Sequence, residues 1–379
     1  MKLLTFVGVI FSISGLADAR VTIAAPVQQP NQSEMSEPNQ PGTDVQTDES
    51  DDKPKGYFNV KTKTFGGQQF WTDVRYVGGW RIQNNSETKH FRLIDSKNVR
   101  HAWGNRLHCD QVLDEAIKNG DAKYCQGPLV IILHGLIRSS KSMRPLSRYL
   151  QNEGGYTTLN FEYASTRKRV DEHAIALNSV IEGLGPDVTE INLVGHSLGN
   201  IVVRRYLADH TEPATGRQGD PRIKRAVMIG PPNQGSRMAR LLKSSRLFQT
   251  FAGASGSQLS RSWDELKPTL TTPNFEFGII AGGQESDRDL SNFVLNGKDD
   301  FTVSVEETKL DGARDFLIRP LFHSTMMKDP EVLKATLNFL KDGYFVSEAA
   351  RQPLPKSADS QSSPTGNQPG HLSTDRSGH

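Results

Sequence analysis

Short apolar runs alternate with amphipathic stretches from Pro128 onward, and this rhythm limits the folds open to the chain. Leu129 to Leu133 is a continuous apolar run, which is typical of a strand buried on both faces of a parallel sheet. Repeated βα units predict an α/β fold with a mostly parallel central sheet and helices on both faces. Further strands are predicted at Tyr156 to Phe161, Ile191 to Val194, Ile223 to Ile229, Phe277 to Ala281 and Phe316 to Ile318. Helices are predicted at Ser142 to Asn152, Asp171 to Leu184, Asn200 to Leu207 and Pro330 to Leu340.

A different pattern precedes this region, between Gly56 and Gly127. Three runs alternate in polarity or carry aromatic side chains, and glycine and asparagine pairs separate them, which predicts antiparallel hairpins. The runs are Asp73 to Val77, Trp80 to Gln83 and His90 to Ile94. We therefore predict a small β-rich extension over residues 56–127, followed by an α/β domain over residues 128–344.

Both ends of the chain have the composition of segments outside a folded core. Lys2, a short apolar stretch from Leu3 to Phe11 and the sequence Ala17-Asp18-Ala19 predict a signal peptide over residues 1–19. An uncleaved anchor is the alternative, although the stretch is short for a bilayer span. We expect a secreted or periplasmic protein. Residues 20–55 and 345–379 contain few large apolar side chains, and we predict a disordered linker and a disordered tail there.

Charge and cysteine content narrow the classes of partner. The 45 basic and 43 acidic residues give a net charge of +2 without a basic stripe, which argues against nucleic acid as a partner. Cys109 and Cys125 flank a helical segment, and in an oxidising compartment such a close pair predicts a disulfide. Two buried, unpaired thiols are the alternative. Two cysteines without a local histidine pair do not make a zinc site, and no metal or cofactor is predicted.

The sequence Gly195-His196-Ser197-Leu198-Gly199 lies between the apolar run ending at Val194 and the helix beginning at Asn200. Glycines on both sides allow a sharp turn from strand to helix, the setting in which a serine acts as a nucleophile. In a parallel sheet, ligands bind beyond the carboxyl ends of the strands, and Ser197 follows such an end. Ser197 is therefore the candidate nucleophile.

A serine nucleophile needs a base, and in this type of site the base follows an acid that itself follows the serine. His323 lies in a loop between a predicted strand and the last helix, whereas His210 ends the helix after Ser197 and is too far along it. The acid is predicted within Asn296 to Val303, as Asp300 or Asp299. Glu285 and Asp287 are the alternatives outside that segment.

The oxyanion of the reaction needs two backbone donors. These are predicted to be the amide of Leu198, directly after the nucleophile, and that of Leu136, in the loop beyond the first central strand. Gly135 allows the backbone of that loop to approach a substrate closely. His134 is predicted to make structural hydrogen bonds, since His323 already supplies the base.

These motifs resemble the α/β-hydrolase fold in its lipase and esterase branch. The resemblance rests on Leu133 to Leu136 and on Gly195 to Gly199, and two further matches extend it. Pro231 to Ser236 is similar to a P-P-N-x-G-S turn, and Tyr163 to Arg167 is similar to a Y-P-S-T-R segment with alanine in place of proline. Gly297 to Val303 is similar to a G-x-x-D-G-x-V pattern that aligns Asp300 with the acid, although Phe301 replaces its glycine. The resemblance covers about residues 128–344.

The resemblance implies a serine carboxylester hydrolase that cleaves small-molecule or lipid acyl esters without a cofactor, with transient contact to a lipid interface. An acyltransferase with the same triad and a non-catalytic binding protein are the alternatives. The segment from Arg237 to Pro273 interrupts the βα rhythm, and it is predicted either to cap the site or to pack as an ordinary helix. No oligomeric state is predicted.

Overall fold

The computed structural model describes residues 62–63, 70–235, 246–260, 262–283 and 303–356. All of them belong to one compact unit. The predicted signal peptide and the predicted linker, residues 20–55, lie outside the described residues. None of the helices in the described part of the chain is both long and apolar enough to cross a membrane.

An antiparallel sheet of five strands forms the N-terminal part, with the strand order β1-β5-β4-β3-β2. It contains the three predicted runs, and helix α1 covers one of its faces with an apolar cluster that includes Ile82 and Leu93. Strands β1 and β5, which pair with each other at one side of this sheet, were not predicted. The elements are β1 (Thr62–Lys63), β2 (Trp71–Val77), β3 (Trp80–Asn85), β4 (Phe91–Ile94), β5 (Val99–Gly104) and α1 (Arg106–Lys118).

A six-stranded parallel sheet forms the centre of the molecule, with the strand order β11-β10-β9-β8-β6-β7. This confirms the predicted fold class. The strands are β6 (Gly127–Leu133), β7 (Thr157–Phe161), β8 (Val188–His196), β9 (Ile223–Ile229), β10 (Glu276–Gly282) and β11 (Asp315–Arg319). The helices are α2 (Arg144–Gly154), α3 (Val170–Glu182), α4 (Leu198–Asp209), α5 (Arg246–Ser260), α6 (Trp263–Leu266), α7 (Val305–Thr308) and α8 (Pro330–Asp342).

Strand β6 shows why this sheet has helices on both faces. Consecutive side chains of a strand point to opposite faces. Leu129, Ile131 and Leu133 are fully buried in a core cluster with residues of α3 and α4. Val130 and Ile132 are fully buried on the other face, with residues of α2 and α8. A strand that is apolar at every position therefore needs two apolar layers, and the surrounding helices supply both.

The antiparallel sheet joins the rest of the domain through hydrogen bonds of its edge strand β2, made by both main chain and side chains. The Asp73 amide donates to the Glu162 carbonyl at 2.8 Å, and the Asp73 carboxylate accepts from the Glu162 amide at the same distance. The Ala164 amide donates to the Thr72 hydroxyl at 3.1 Å, and the Ser179 hydroxyl to the Val74 carbonyl at 2.9 Å. The β-rich extension is thus anchored directly beside the end of β7.

The predicted disulfide is wrong, because Cys109 and Cys125 are both free thiols in the structure. Cys109 lies on α1 and packs beneath the antiparallel sheet, whereas Cys125 packs in the core of the parallel sheet. Both are buried, so the alternative of two unpaired thiols describes them. Burial raises the pKa of Cys109 to about 12, which keeps that thiol protonated and unreactive.

The predicted disordered tail begins too early at residue 345. Phe345 is buried against Phe339 of α8, and its amide donates to the Asp315 carboxylate at 2.7 Å. Further along, the Leu354 amide donates to the Ala313 carbonyl at 2.9 Å. The chain to residue 356 is therefore part of the packed unit, and the composition missed it because backbone hydrogen bonds hold it as much as apolar side chains do. Residues 357–379 lie outside the described residues.

Candidate active site

Ser197 occupies a sharp turn between β8 and α4. Its φ of +53° and ψ of −121° lie outside the regions that a residue with a Cβ ordinarily adopts. Such a conformation costs about 1–3 kcal/mol and persists only where the surroundings enforce it. The Ser197 amide donates to the Ile229 carbonyl of β9 at 3.0 Å, and its carbonyl accepts from the Asn200 amide at 3.1 Å. The turn therefore holds a half-buried serine at the carboxyl end of the sheet, as predicted.

The glycines on either side of the turn allow the backbones to approach closely. A Cβ on Gly195 would lie 2.3 Å from the Asn200 side-chain oxygen. A Cβ on Gly199 would lie 2.7 Å from the Leu133 carbonyl oxygen and 2.9 Å from the His134 carbonyl oxygen. The first turn of α4 thus presses directly on the end of β6.

The Gly199→Ala variant is expected to unfold at lower temperature, with a loss of about 1–3 kcal/mol in the free energy of unfolding. The new methyl group meets backbone oxygen atoms that cannot move aside, and this outweighs the gain of about 1 kcal/mol in helix propensity. Thermal unfolding followed by circular dichroism measures the effect. Gly183→Ala is the matched control, because a Cβ there has its nearest contact at 3.4 Å. An equal loss in both variants would contradict the argument.

The loop after β6 lies against the nucleophile. A Cβ on Gly135 would lie 3.1 Å from the Ser197 Cβ, so no larger residue fits without moving the serine. The Arg138 amide donates to the Gly135 carbonyl at 3.3 Å, and Ile137 has a φ of +58°, which closes the loop into a tight turn. Leu136 lies between them and is half-buried. Its amide therefore belongs to a backbone segment that is in contact with the serine turn.

Leu198 is the first residue of α4 and is fully buried. Backbone N–H groups in the first turn of a helix have no acceptor within the helix, and they carry the positive end of its dipole. The Leu198 amide has this position directly after Ser197. The two predicted oxyanion donors thus stand on the two backbone segments that meet at Ser197.

His323 lies in the loop after β11 and is brought to the same edge as Ser197. Its carbonyl accepts from His196 Nε2 at 3.1 Å, and the two imidazole rings have centroids 4.7 Å apart. A Cβ on Gly230 would lie 2.7 Å from His323 Nδ1, so the ring rests on the residue after Ile229. Since the Ser197 amide donates to the Ile229 carbonyl, the serine turn and the imidazole contact neighbouring residues at the end of β9.

Burial sets the charge of the imidazole. Burial, together with the charge of the nearby Arg138, lowers the pKa of His323 to about 4. The ring is therefore neutral near pH 7, the form that accepts a proton. His210, in contrast, ends α4, and its Nδ1 contacts the Tyr206 carbonyl at 2.9 Å. That position is several helical turns from Ser197, as the sequence indicated.

No family model matches the chain, and no curated protein matches it. The solved structures that resemble it include lipase BlEst2 of Bacillus licheniformis in its mature form, at 17% identity over 56% of this chain and 89% of that one, with a TM-score of 0.40. The lin2722 gene product of Listeria innocua is 16% identical over 62% and 99%, with a TM-score of 0.39. The hydrolase olei00960 of Oleispira antarctica is 12% identical over 57% of this chain and 93% of that one, with a TM-score of 0.39.

The parallel sheet and the serine turn between its strand β8 and helix α4 define the fold class. The chain has the α/β-hydrolase fold.

All four candidates for the acid fall outside the described residues. Strand β10 is followed as far as Gly283, and the chain is described again from Val303. Asp300, Asp299, Glu285 and Asp287 all fall between these points, so the acid stays a prediction. Within the described residues, no group of three or more His, Cys, Asp and Glu side chains is arranged to hold a metal ion.

His134 has the structural role that was predicted for it. Its Nδ1 lies 2.9 Å from the Gly135 carbonyl, and its ring stacks on Tyr163 with centroids 4.2 Å apart. The Tyr163 hydroxyl donates to the His134 carbonyl. Burial lowers the pKa of His134 to about 4, so it is neutral and fixes the start of the loop that carries Leu136.

Sequence reasoning missed Glu162, which supports both ends of that loop. Its Oε2 accepts from the Ser140 amide at 3.2 Å and from the Ser140 hydroxyl at 2.5 Å. Its Oε1 lies 3.6 Å from His134 Nε2. The available signal is a single carboxyl directly after strand β7 and directly before the segment from Tyr163 to Arg167.

The segment from Arg237 to Pro273 is described in part. Helix α5 changes direction at Gly253, whose φ is +61°. Beyond that point Gln258 accepts a hydrogen bond from the Val170 amide at 2.8 Å. Apolar side chains after Gly253 are buried in the main core: Leu259 of α5, and Trp263 and Leu266 of α6. The residues after Gly253 therefore pack as ordinary helices, residues 237–245 lie outside the described residues, and a cap formed by the segment from Arg237 to Pro273 stays a prediction.

Proposed function

We propose that the protein is a serine carboxylester hydrolase that cleaves acyl esters through an acyl-enzyme on Ser197. The single observation that carries the proposal is that the strained serine turn and the neutral, buried His323 both lie against the end of β9. An L-residue held at this backbone conformation presents its side chain at a tip, where a substrate carbonyl can reach it.

In the first half of the reaction, the Ser197 hydroxyl attacks the ester carbonyl while His323 takes the hydroxyl proton. The carbonyl oxygen becomes an oxyanion that accepts hydrogen bonds from the Leu136 and Leu198 amides. Asp300 is our proposal for the carboxylate that orients the imidazolium. Collapse of the intermediate expels the alcohol, which receives the proton from His323 and leaves the acyl group on the serine.

In the second half, a water molecule attacks the acyl-enzyme and gives its proton to His323. The carboxylic acid then leaves, and the proton returns to Ser197. Each step conserves protons and needs no electron donor or metal ion. Desolvation of His323 suits this cycle, because the base must begin each half-reaction neutral.

Apolar side chains near the site support an apolar acyl or lipid ester as substrate. Ile137 in the loop beside Ser197 is 37% exposed, and Phe322, directly before His323, is 44% exposed. Large apolar groups exposed on both loops of one site are typical of a surface that meets an apolar ligand. We propose that they also make transient contact with a lipid interface. Export to the periplasm or the medium remains our proposal from the N-terminal sequence.

The proposal is tested with p-nitrophenyl esters of increasing chain length and with a fluorophosphonate probe on the full chain. We expect release of p-nitrophenol together with an equal amount of free carboxylic acid, and covalent labelling of Ser197 that peptide mass spectrometry locates. Transfer of the acyl group to an added alcohol without free acid would favour the acyltransferase. A folded protein that is neither labelled at Ser197 nor active on any ester would contradict the proposal.

A further inference from the structure

A polar cavity lies between the antiparallel sheet and the segment that leads into α2. Its volume is about 170 Å³. This is room for several water molecules or for one compact polar group. Four cationic side chains and two carboxyls stand in its wall, namely Arg81, Arg92, Lys141, Arg144, Asp95 and Glu162.

Two of the four cations are already held by the protein. Arg81 donates to the fully buried Asp73 carboxylate at 2.7 Å and to the Asn160 carbonyl at 2.9 Å. The Arg92 guanidinium lies 3.9 Å from the centre of the Trp71 ring, and its Nε donates to Gln83 at 2.9 Å. Arg92 is only 5% exposed, so it is fixed in place facing the cavity. Burial lowers the pKa of Arg92 to about 10, which leaves it charged at neutral pH.

The other two cations are uncommitted. Lys141 and Arg144 are exposed, and neither has an ion-pair partner among the residues that the structure describes. Of the two carboxyls, Asp95 accepts hydrogen bonds from the Lys97 and Val99 amides at 2.9 and 2.8 Å and lies 3.1 Å from His101. Its hydrogen bonds therefore stabilise the turn between β4 and β5. The cavity therefore has an excess of positive charge with donors on both of its walls.

We propose that this cavity binds a small oxyanion, the phosphate, sulfate or carboxylate group of a ligand, on the Arg92 and Arg144 guanidinium groups and the Lys141 ammonium. The buried guanidinium of Arg92 on the sheet wall, with the exposed Arg144 guanidinium and Lys141 ammonium on the opposite wall, suits a compact oxyanion with several acceptor atoms. The site is separate from Ser197, and the inference does not depend on the proposed hydrolase activity.

The ionisation of Glu162 makes the affinity of this cavity for an anion depend on pH. Burial raises the pKa of Glu162 to about 7, against the opposing effect of its bonds with Ser140. Of the charged groups that face it, Asp73 raises this pKa and Arg81 lowers it, while His134 is neutral above about pH 4. A neutral Glu162 leaves the cavity more positive than an ionised one does. An anion is therefore bound more tightly below pH 7 than above it.

Isothermal titration calorimetry of the full chain with sulfate tests the site, because the charge of sulfate is constant between pH 6 and pH 8. We expect one saturable site whose affinity falls at least tenfold in the double variant Lys141→Gln/Arg144→Gln. Arg148→Gln is the matched control, since Arg148 is an exposed cation on α2 that does not line the cavity. Absence of saturable binding to the wild type, or an equal loss in the control, would overturn the proposal.

The pH arm uses Glu162→Gln, which keeps the shape of the side chain and removes its charge. The wild-type affinity for sulfate is expected to fall between pH 6 and pH 8, whereas the affinity of this variant stays constant. An unchanged pH response in the variant would overturn the role of Glu162.

Vesicles of phosphatidylcholine with and without phosphatidic acid distinguish the two sources of an oxyanion. Displacement of sulfate only by the phosphatidic acid vesicles identifies a lipid headgroup, and displacement only by free phosphate identifies a soluble anion.

Discussion

The Ser197→Ala variant is expected to lose kcat/KM for p-nitrophenyl ester hydrolysis by about 10⁴- to 10⁶-fold. Alanine removes the hydroxyl that is proposed to form the acyl-enzyme and leaves the Leu136 and Leu198 amides in place. What remains is the catalysis that binding and the Leu136 and Leu198 amides supply by themselves. Initial rates measured at several ester concentrations, together with the yield of phosphonate label, quantify the loss.

The same substitution should leave the fold intact, which separates a chemical effect from a structural one. Alanine at position 197 has the same Cβ and meets the same backbone strain at a φ of +53°. The two backbone bonds of Ser197, to Ile229 and Asn200, do not involve the side chain. We expect the free energy of unfolding to change by less than about 1 kcal/mol. Ser179→Ala serves as the matched control, because that hydroxyl bonds to the Val74 carbonyl away from the site and its loss should not change turnover. Turnover by Ser197→Ala within tenfold of the wild type would contradict the assignment.

The parallel sheet could be predicted because its signal is local. A strand such as β6, apolar at every position from Leu129 to Leu133, has few alternatives to burial on both faces. The serine turn could be predicted for the same reason, since Gly195 and Gly199 stand beside the residue that they serve. His323 required only its place after a strand, because parallel strands bring their carboxyl ends to one edge.

The features that escaped prediction depend on contacts between distant parts of the chain. Glu162 meets Ser140, His134 and the Asp73 amide, and only the folded chain brings these groups together. Cys109 and Cys125 are close in sequence, but they belong to different hydrophobic clusters. Cys109 on α1 packs beneath the antiparallel sheet, and Cys125, just before β6, packs in the core of the parallel sheet. Sequence spacing fixes neither the helix phase nor the neighbouring layer, and both decide whether two thiols can meet.

The His323→Ala variant is expected to lose activity by a factor similar to that of Ser197→Ala, about 10⁴- to 10⁶-fold. The serine hydroxyl remains but has no group to take its proton. Because serine and histidine act as one unit, the double variant should be no less active than either single variant. Added imidazole should restore part of the activity of His323→Ala, which a merely structural role would not allow. His210→Ala is the matched control, and a comparable loss there would contradict the choice of base.

The pH profile gives a second measurement of the same group. The pKa of His323 is lowered to about 4, mainly by burial and to a lesser extent by Arg138. The imidazole is therefore protonated, and unable to act as the base, only below about pH 4. In the wild type, kcat/KM should therefore rise with pH through about 4 and remain level toward neutrality, instead of rising near the usual histidine pKa of about 6.5. Arg138→Gln removes a positive charge that opposes protonation, so the pKa of His323 should rise and the acid limb should move to higher pH. An acid limb that stays in place in this variant, or that moves to lower pH, would show that the titrating group is not the imidazole beside Arg138.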